Sequence, residues 1–383
     1  MFKRFSGAVA AKEMLLDRCL PIRRTEILSS TKAAGRVTSE AVISPVSLPG
    51  FDRAAMDGYG VRSADTKGAR LSAPVFLKEF LALRAGNQVP KDYDAVVMLE
   101  DARLRESMLE ITAEAHAYRN VSRIGEDIRQ EETVFSEGHI LRPPDVALLA
   151  ALGIGDVRVY ARPKAAIIPT GSELVAIGER PLDNGEAYEI NGLMAKLYME
   201  KWGADAALRG IVPGDEGQIR EALQESLDAD IIIIIGGTSI GEKDYAPRVL
   251  MEIGELIVHG VRLQPGKPTA FGMASDKPVV CLPGYPVAAL ADLYLFVRPA
   301  LQKIARKSDA LTVVRVPLAR KIPSRPGYLS LVRVALKDGK AEPIMISGAG
   351  ILSSVARSDG FVIVPEAREG IEEGETVDVN LFE

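Results

Sequence analysis

Cysteine and histidine are scarce in this 383-residue chain. Its two cysteines, Cys19 and Cys281, lie far apart without CxxC spacing. That argues against a zinc site or a disulfide framework and fits a reducing compartment. The three histidines, His116, His139 and His259, show neither HExxH nor paired spacing, so metal–imidazole chemistry is not indicated. Positive charge is not in excess either. With 47 Lys and Arg against 52 Asp and Glu, the formal net charge of -5 argues against broad binding of nucleic acid, though not against one local basic pocket. No apolar run approaches the roughly 20 residues needed to span a bilayer. The N-terminal MFKRFSGAVAAKEMLLDRCLP is interrupted by Lys12 and Glu13, and reads as an amphipathic helix rather than a signal peptide. A cytoplasmic protein with no membrane partner is expected. No internal repeat or low-complexity segment is present.

At 47% hydrophobic and 26% charged, the chain has the composition of a soluble globular protein, and its length suits two to four domains. Residues 1 to about 50 give a short helix and turn-rich extended chain. Residues 51 to about 140 mix short strands such as AVVML with polar loops, too little to close a large core alone. In RPPDVALLAALGIGDVRVYARP a helix starts after two prolines and stops at Gly153. From Pro163, buried strands alternate with helices: KAAII, NGLMAKLYMEKWG, GQIREALQESL, DIIIIIGG, then PVVCLPGYPVAALADLYLF. That alternation predicts βαβ units and a parallel sheet covered by helices on both faces, which explains five isoleucines in a row. After about residue 308 helix signals vanish. Short strands remain, with Asp338-Gly339 as a hairpin turn, and predict a small β-barrel or sandwich.

Three glycine-bearing loops leave the carboxyl ends of predicted strands: PTGSEL (169–174), GGTSIGEKD (236–244) and LPGYP (282–286). Glycine lets backbone N–H groups approach a ligand, and a neighbouring helix N-terminus favours anions, phosphate above all. One such loop serves equally well as a tight turn; three on one sheet edge favour a binding site. GGTSIGEK is not a P-loop. Gly236 and Gly241 keep that spacing, but Glu242 takes the lysine position and no hydroxyl follows Lys243. What remains is an anion cradle flanked by Glu242 and Asp244. Carboxylates beside a phosphate imply a bridging Mg²⁺, with Glu173 as a second ligand, although capping of helix starts is the alternative role for each carboxylate. Lys267, between Gly266 and Pro268 in VRLQPGKPTAFG, is a candidate phosphate cation. Upstream, LPGFDRAAMDGYGVRSADT offers Asp57 to a site built from another part of the molecule, or else forms a structural turn cluster.

Taken in order, LPGFDRAAMDGYGVR, GEDI (125–128), PTGSEL, NGLM (191–194), GGTSIGEKDY, PGKPTAFG and LPGYPVAAL resemble the molybdopterin molybdenumtransferase family, MoeA and the C-terminal domain of gephyrin. The resemblance covers nearly the whole chain. It implies an α/β and β multidomain fold: an elongated N-terminal subdomain (1–50 and 140–162), an inserted mixed lobe (51–139), a three-layer α/β molybdopterin-binding domain (163–308) and a C-terminal small β-barrel (309–383). It further implies a homodimer, its active site lying between the α/β domain of one subunit and the second subdomain of the other. The implied reaction takes adenylylated molybdopterin and molybdate, releases AMP and inserts the metal, with Mg²⁺ as cofactor and molybdopterin as substrate. The matching motifs carry over Asp57, Glu173 and Asp244 as catalytic residues, the last two also as metal ligands. Substrate contacts carry over to Asp127, Thr170, Gly171, Ser172, Asn191, Gly236, Gly237, Thr238, Ser239, Gly241, Lys267, Pro283, Gly284 and Tyr285. Five positions depart from the family pattern: Ala85 for a threonine, Ser172 for a carboxylate, Gln264 for a lysine, Tyr285 for an asparagine and Ala349 for a serine. A lost hydrogen bond to a charged group is worth roughly 1.5–3 kcal/mol, or about tenfold or more in binding. Two functions therefore stand open: a working transferase, and a paralogue that binds a molybdopterin species or related anion as carrier or interaction partner without inserting metal.

Overall fold

The isoleucine run Ile231–Ile235 forms an inner strand of a six-stranded sheet, and all five side chains are buried. Successive side chains of a strand point to opposite faces. Ile231, Ile233 and Ile235 enter one core with Ala195, Met199, Phe271 and Leu290, while Ile232 and Ile234 enter a second with Ile219, Leu223, Val249 and Leu250. Each buried isoleucine is worth about 1.5–3 kcal/mol. Neither face is left for water, so an alternating pattern would fail here.

The computed structural model describes residues 5–238, 244–308, 310–344 and 350–383. They divide into two compact units, one running to Arg24 and again from Tyr160 onward, the other Thr25–Val159. The sheet of the first unit comprises β1 (Lys164–Pro169), β2 (Asp205–Leu208), β3 (Ile231–Ile235), β4 (Glu255–His259), β5 (Ala270–Ala274) and β6 (Lys277–Leu282), in the order β2-β1-β3-β6-β5-β4. The strands β2, β1, β3 and β6 run parallel, but β5 is antiparallel to both β6 and β4. The expected all-parallel sheet is thus mixed at one edge. The reason is connection length. Only Ser275 and Asp276 separate β5 from β6, both at positive φ, and a two-residue link can only make a hairpin.

Helices Asn191–Lys201, Glu216–Glu225, Tyr245–Ile253 and Pro286–Asp292 flank the sheet. The predicted N-terminal helix is Ala8–Arg18. It buries Ala8, Ala11 and Leu15 in the same core as Ile231 and Ile233. The C-terminal strands Val313–Pro317, Leu329–Lys337, Gly360–Val364 and Thr376–Leu381 share a second sheet with Val261–Gln264. The strand before PGKP thus belongs to that sheet and the strand after it to the α/β sheet. Asp338 and Gly339, at φ 49° and 73°, turn the hairpin between Leu329–Lys337 and Lys340–Pro343 as expected. A five-residue helix, Leu352–Ala356, corrects the expectation of a helix-free tail; so short a helix has no room for a 3.6-residue repeat to register.

In the second unit, Gly58–Val61 pairs with Leu81–Leu83 and Ala95–Met98, and Val61, Val97, Leu109 and Ile111 share a core. Helix Pro143–Ala151 begins at its two prolines and is followed by Gly153 at φ 74°. Among the described residues no helix is long and apolar enough to cross a membrane.

Candidate functional site

The carboxyl ends of β1, β3 and β6 lie side by side, and the loops leaving them are tied to one another by main-chain bonds. Thr170 N–H donates to Ile235 O (2.7 Å) and Gly236 N–H to Leu282 O (3.0 Å). The Thr170 and Thr238 hydroxyls donate to Ile235 O (3.2 Å) and Leu282 O (3.1 Å). Glycine is obligatory at 236: its φ is 91°, and a Cβ there would stand 2.3 Å from Thr170 O. Thr170, Gly171, Ser172, Glu173, Asn191, Gly236, Gly237, Thr238 and Gly284 wall a cavity of about 540 Å³. Nine of the residues singled out from sequence meet there. Asn191 Nδ2 donates to Gly284 O at 2.6 Å, and its Oδ1 is buried with no hydrogen-bond partner among the described residues. Ser172 Oγ accepts Gly214 N–H at 3.3 Å. Ser239 and Gly241, with Glu242 and Lys243, lie outside the described residues.

The two candidate metal ligands differ. Glu173 is exposed on the cavity wall and curls over Gly171, whose added Cβ would lie 2.9 Å from its Oε1. Asp244 is only 7% exposed, is not among the described residues walling the cavity, and has Oδ2 2.7 Å from His259 Nε2. No group of three or more His, Cys, Asp or Glu side chains among the described residues is arranged to hold a metal alone. Mg²⁺ usually takes one or two protein carboxylates and leaves its remaining positions to substrate oxygens and water, and Glu173 is the carboxylate on the cavity wall that would hold it in that mode.

A second cavity, of about 710 Å³, opens on the other side of the LPGYP loop. Pro283 and Tyr285 wall it, with Gln264, Lys267, Arg325, Tyr328 and Arg333. Three cationic side chains among its walls favour an anionic ligand. Burial lowers the Arg333 guanidinium from its ordinary value. Lys267 Nζ lies 4.7 Å from the Phe5 ring centroid, and the Arg325 guanidinium 4.6 Å from that of Tyr328. Tyr285 is 66% exposed, and its ring borders Gly350.

Asp57 and Asp127 lie in the other unit, where LPGFD, LRAGN and GEDI gather. Asp57 Oδ1 accepts the backbone N–H of Ala85 at 2.7 Å, joining a candidate catalytic residue to a departed position. Leu48 bridges Ile128, Gly125 N–H donates to Pro49 O, and Asp127 N–H donates to Leu48 O at 3.1 Å. Ala349 lies outside the described residues.

Sequence reasoning passed over Glu189, His259, Arg325 and Arg333. Glu189 is buried and accepts Gly192 N–H (2.6 Å) and Leu193 N–H (3.3 Å), closing the start of helix Asn191–Lys201 beside the smaller cavity. A carboxylate just before a helix start was the available signal for Glu189. The two arginines sit on strands and turns of the C-terminal segment, with no motif to announce them.

Glycine loops on parallel-strand ends, beside a cationic cavity, define an α/β protein whose loop edge has the chemistry to suit phosphate-like ligands. Family models match along nearly the whole chain: the MoeA N-terminal region (domain I and II) over residues 8–153, a probable molybdopterin binding domain over 166–303, and the MoeA C-terminal region (domain IV) over 315–382. A putative molybdopterin biosynthesis protein of Methanocaldococcus jannaschii is 36% identical, covering 96% of this chain and 94% of its own. The molybdopterin molybdenumtransferase of Haemophilus influenzae is 30% identical over 97% of each. A crystal structure of the molybdopterin biosynthesis moeA protein from Pyrococcus horikoshii superposes with a TM-score of 0.87, at 32% identity, over 99% of this chain and 100% of that one. The chain belongs to the MoeA family of molybdenum cofactor biosynthesis, and has its multidomain fold.

Proposed function

We propose that the protein inserts molybdate into adenylylated molybdopterin with release of AMP. The observation that carries this is the pair of cavities sharing one loop. Gly284 walls the glycine-lined cavity, and its neighbours Pro283 and Tyr285 wall the cationic one. A phosphate fits the first, where the glycine-bearing loops after β1 and β3 converge. An oxyanion such as molybdate fits the second, with Lys267, Arg325 and Arg333. One substrate phosphate and one metal oxyanion are thereby held on either side of a single turn, which is the proximity the reaction requires. Glu173 would hold Mg²⁺, which offsets phosphate charge as the anhydride linking AMP is cleaved by water. Asp244, Asp57 and Asp127 complete the proposed machinery. The family resemblance supports a cytoplasmic homodimer as the working form, with Asp57 and Asp127 supplied by the second subunit.

A second reading, binding without metal insertion, is favoured by one observation: Tyr285 and Gln264 stand on the wall of the cationic cavity where the family pattern has a small amide and a lysine. Incubation with adenylylated molybdopterin, Mg²⁺ and molybdate, followed by quantitation of AMP, separates the two. The transferase releases AMP in proportion to substrate. Stoichiometric pterin binding with no AMP release overturns the first reading and leaves the carrier.

A further inference from the structure

Asp292, the last residue of helix Pro286–Asp292, is 0% exposed, and no motif drew attention to it. One carboxyl oxygen, Oδ2, is 2.6 Å from Thr269 Oγ1. The same hydroxyl is 2.5 Å from Gly266 O, which also accepts Thr269 N–H at 3.1 Å. Proton counting decides the roles. The hydroxyl has one proton for two short contacts; a carbonyl oxygen only accepts, so both contacts are satisfied together when the Thr269 proton goes to Gly266 O. The second short contact then needs its own proton, which only Asp292 can supply. Burial acts in the same direction, raising this carboxyl well above its ordinary value. Its other oxygen, Oδ1, has no partner among the described residues and lies against Gly266, where an added Cβ would come within 2.9 Å of it. An unpartnered carbonyl oxygen of a neutral acid costs far less in such a place than an unpartnered carboxylate oxygen.

We propose that Asp292 is a positioning residue: as a neutral hydrogen-bond donor it locks Thr269, and through it the Gly266 carbonyl, so that Lys267 is aimed into the 710 Å³ cavity. This rests on the oxyanion reading of that cavity. The arrangement is a relay in which Asp292 touches no ligand, and its chemistry is distinctive because a carboxyl serves without its charge.

The test uses the full-length protein with molybdate as the probe, measured by calorimetry, and hydrogen exchange of the 261–272 segment measured without ligand. Asp292→Asn keeps a donor and is expected to bind molybdate within about twofold of wild type. Asp292→Ala and Thr269→Val each break the relay. They are expected to weaken molybdate binding about tenfold and to speed exchange across the segment. Thr269→Val keeps the test sharp if Asp292→Ala folds poorly. Asn as damaging as Ala overturns the proposal, because a charge would then be required. So does wild-type exchange and affinity in both Asp292→Ala and Thr269→Val. Unchanged affinity in Lys267→Ala instead overturns the oxyanion reading and with it Asp292's bearing on binding; ligand-free exchange still shows whether the relay itself exists.

Discussion

His259 Nε2 stands 2.7 Å from Asp244 Oδ2, joining the end of β4 to the residue that opens helix Tyr245–Ile253. The imidazole nitrogen meets the carboxylate at ion-pair distance at a helix start. Losing a hydrogen bond to a charged group costs roughly 1.5–3 kcal/mol, about ten- to a hundredfold in rate. Asp244→Asn is therefore expected to keep the fold and lower Mg²⁺-dependent AMP release about a hundredfold. His259→Gln, which retains a donor, should lose about tenfold or less. An Asp244→Asn protein that releases AMP at the wild-type rate removes Asp244 from the chemistry.

Asp57 and Asp244 lie in different compact units, and the homodimer reading gives each active site one residue from each subunit. Either Asp57→Ala or Asp244→Asn should silence a homodimer. Co-refolded mixtures should regain up to roughly a quarter of wild-type activity, since half the dimers are mixed and each mixed dimer then has one intact site of two. No recovery in the mixture, with dimers verified by sedimentation, places both residues in a single-subunit site.

Helix Pro143–Ala151 offers a pH test of stability. Asp145 is held well below the usual carboxylate range, chiefly by the Arg142 side chain, and also by Arg142 N–H and by His139. Its folded-state value is depressed, so the stabilisation is present above the unfolded value of about 3.9 and is lost progressively as pH falls from there through the depressed folded-state value. Asp145→Asn should melt several degrees below wild type near pH 7, with the gap narrowing below about pH 4. Calorimetric scans across pH 3–7 read this directly, and a gap independent of pH would exclude the ionic contribution.

Much of the site was legible because glycine and strand patterns act locally. DIIIIIGG announces a doubly covered strand and its loop, and PTGSEL and LPGYP do the same, so the smaller cavity follows from sequence order alone. The cationic cavity was only partly legible. Lys267 sits in a motif, but Arg325 and Arg333 reach it through a β-sheet that borrows Val261–Gln264 from the preceding segment, a pairing no local pattern encodes. The antiparallel edge was hidden for the opposite reason: β5 and β6 are apolar apart from Lys277, and burial on both faces erases the period that would have marked a hairpin. Asp292 was invisible because a lone acid in a helical apolar run carries no signal until its buried neighbours are known.

The departures from the family pattern separate the transferase from the carrier. Ala85 offers its backbone N–H to Asp57, and threonine there would keep that bond and add a hydroxyl beside it. Gln264 and Tyr285 wall the cationic cavity, and Tyr285 is 66% exposed, so its ring borders the cavity and is not packed into the core. Exposure means the ring can be removed at little cost in stability, and the triple variant Ala85→Thr, Gln264→Lys, Tyr285→Asn should fold as wild type does. If the departures record lost function, three restored contacts at about a kcal/mol or more apiece would raise AMP release a hundredfold or beyond. If the cavity is already complete with Lys267, Arg325 and Arg333, a fourth cation adds little. The expected gain is below tenfold. A hundredfold gain in the triple variant, measured with saturating adenylylated molybdopterin and molybdate, would favour the carrier reading for the natural chain.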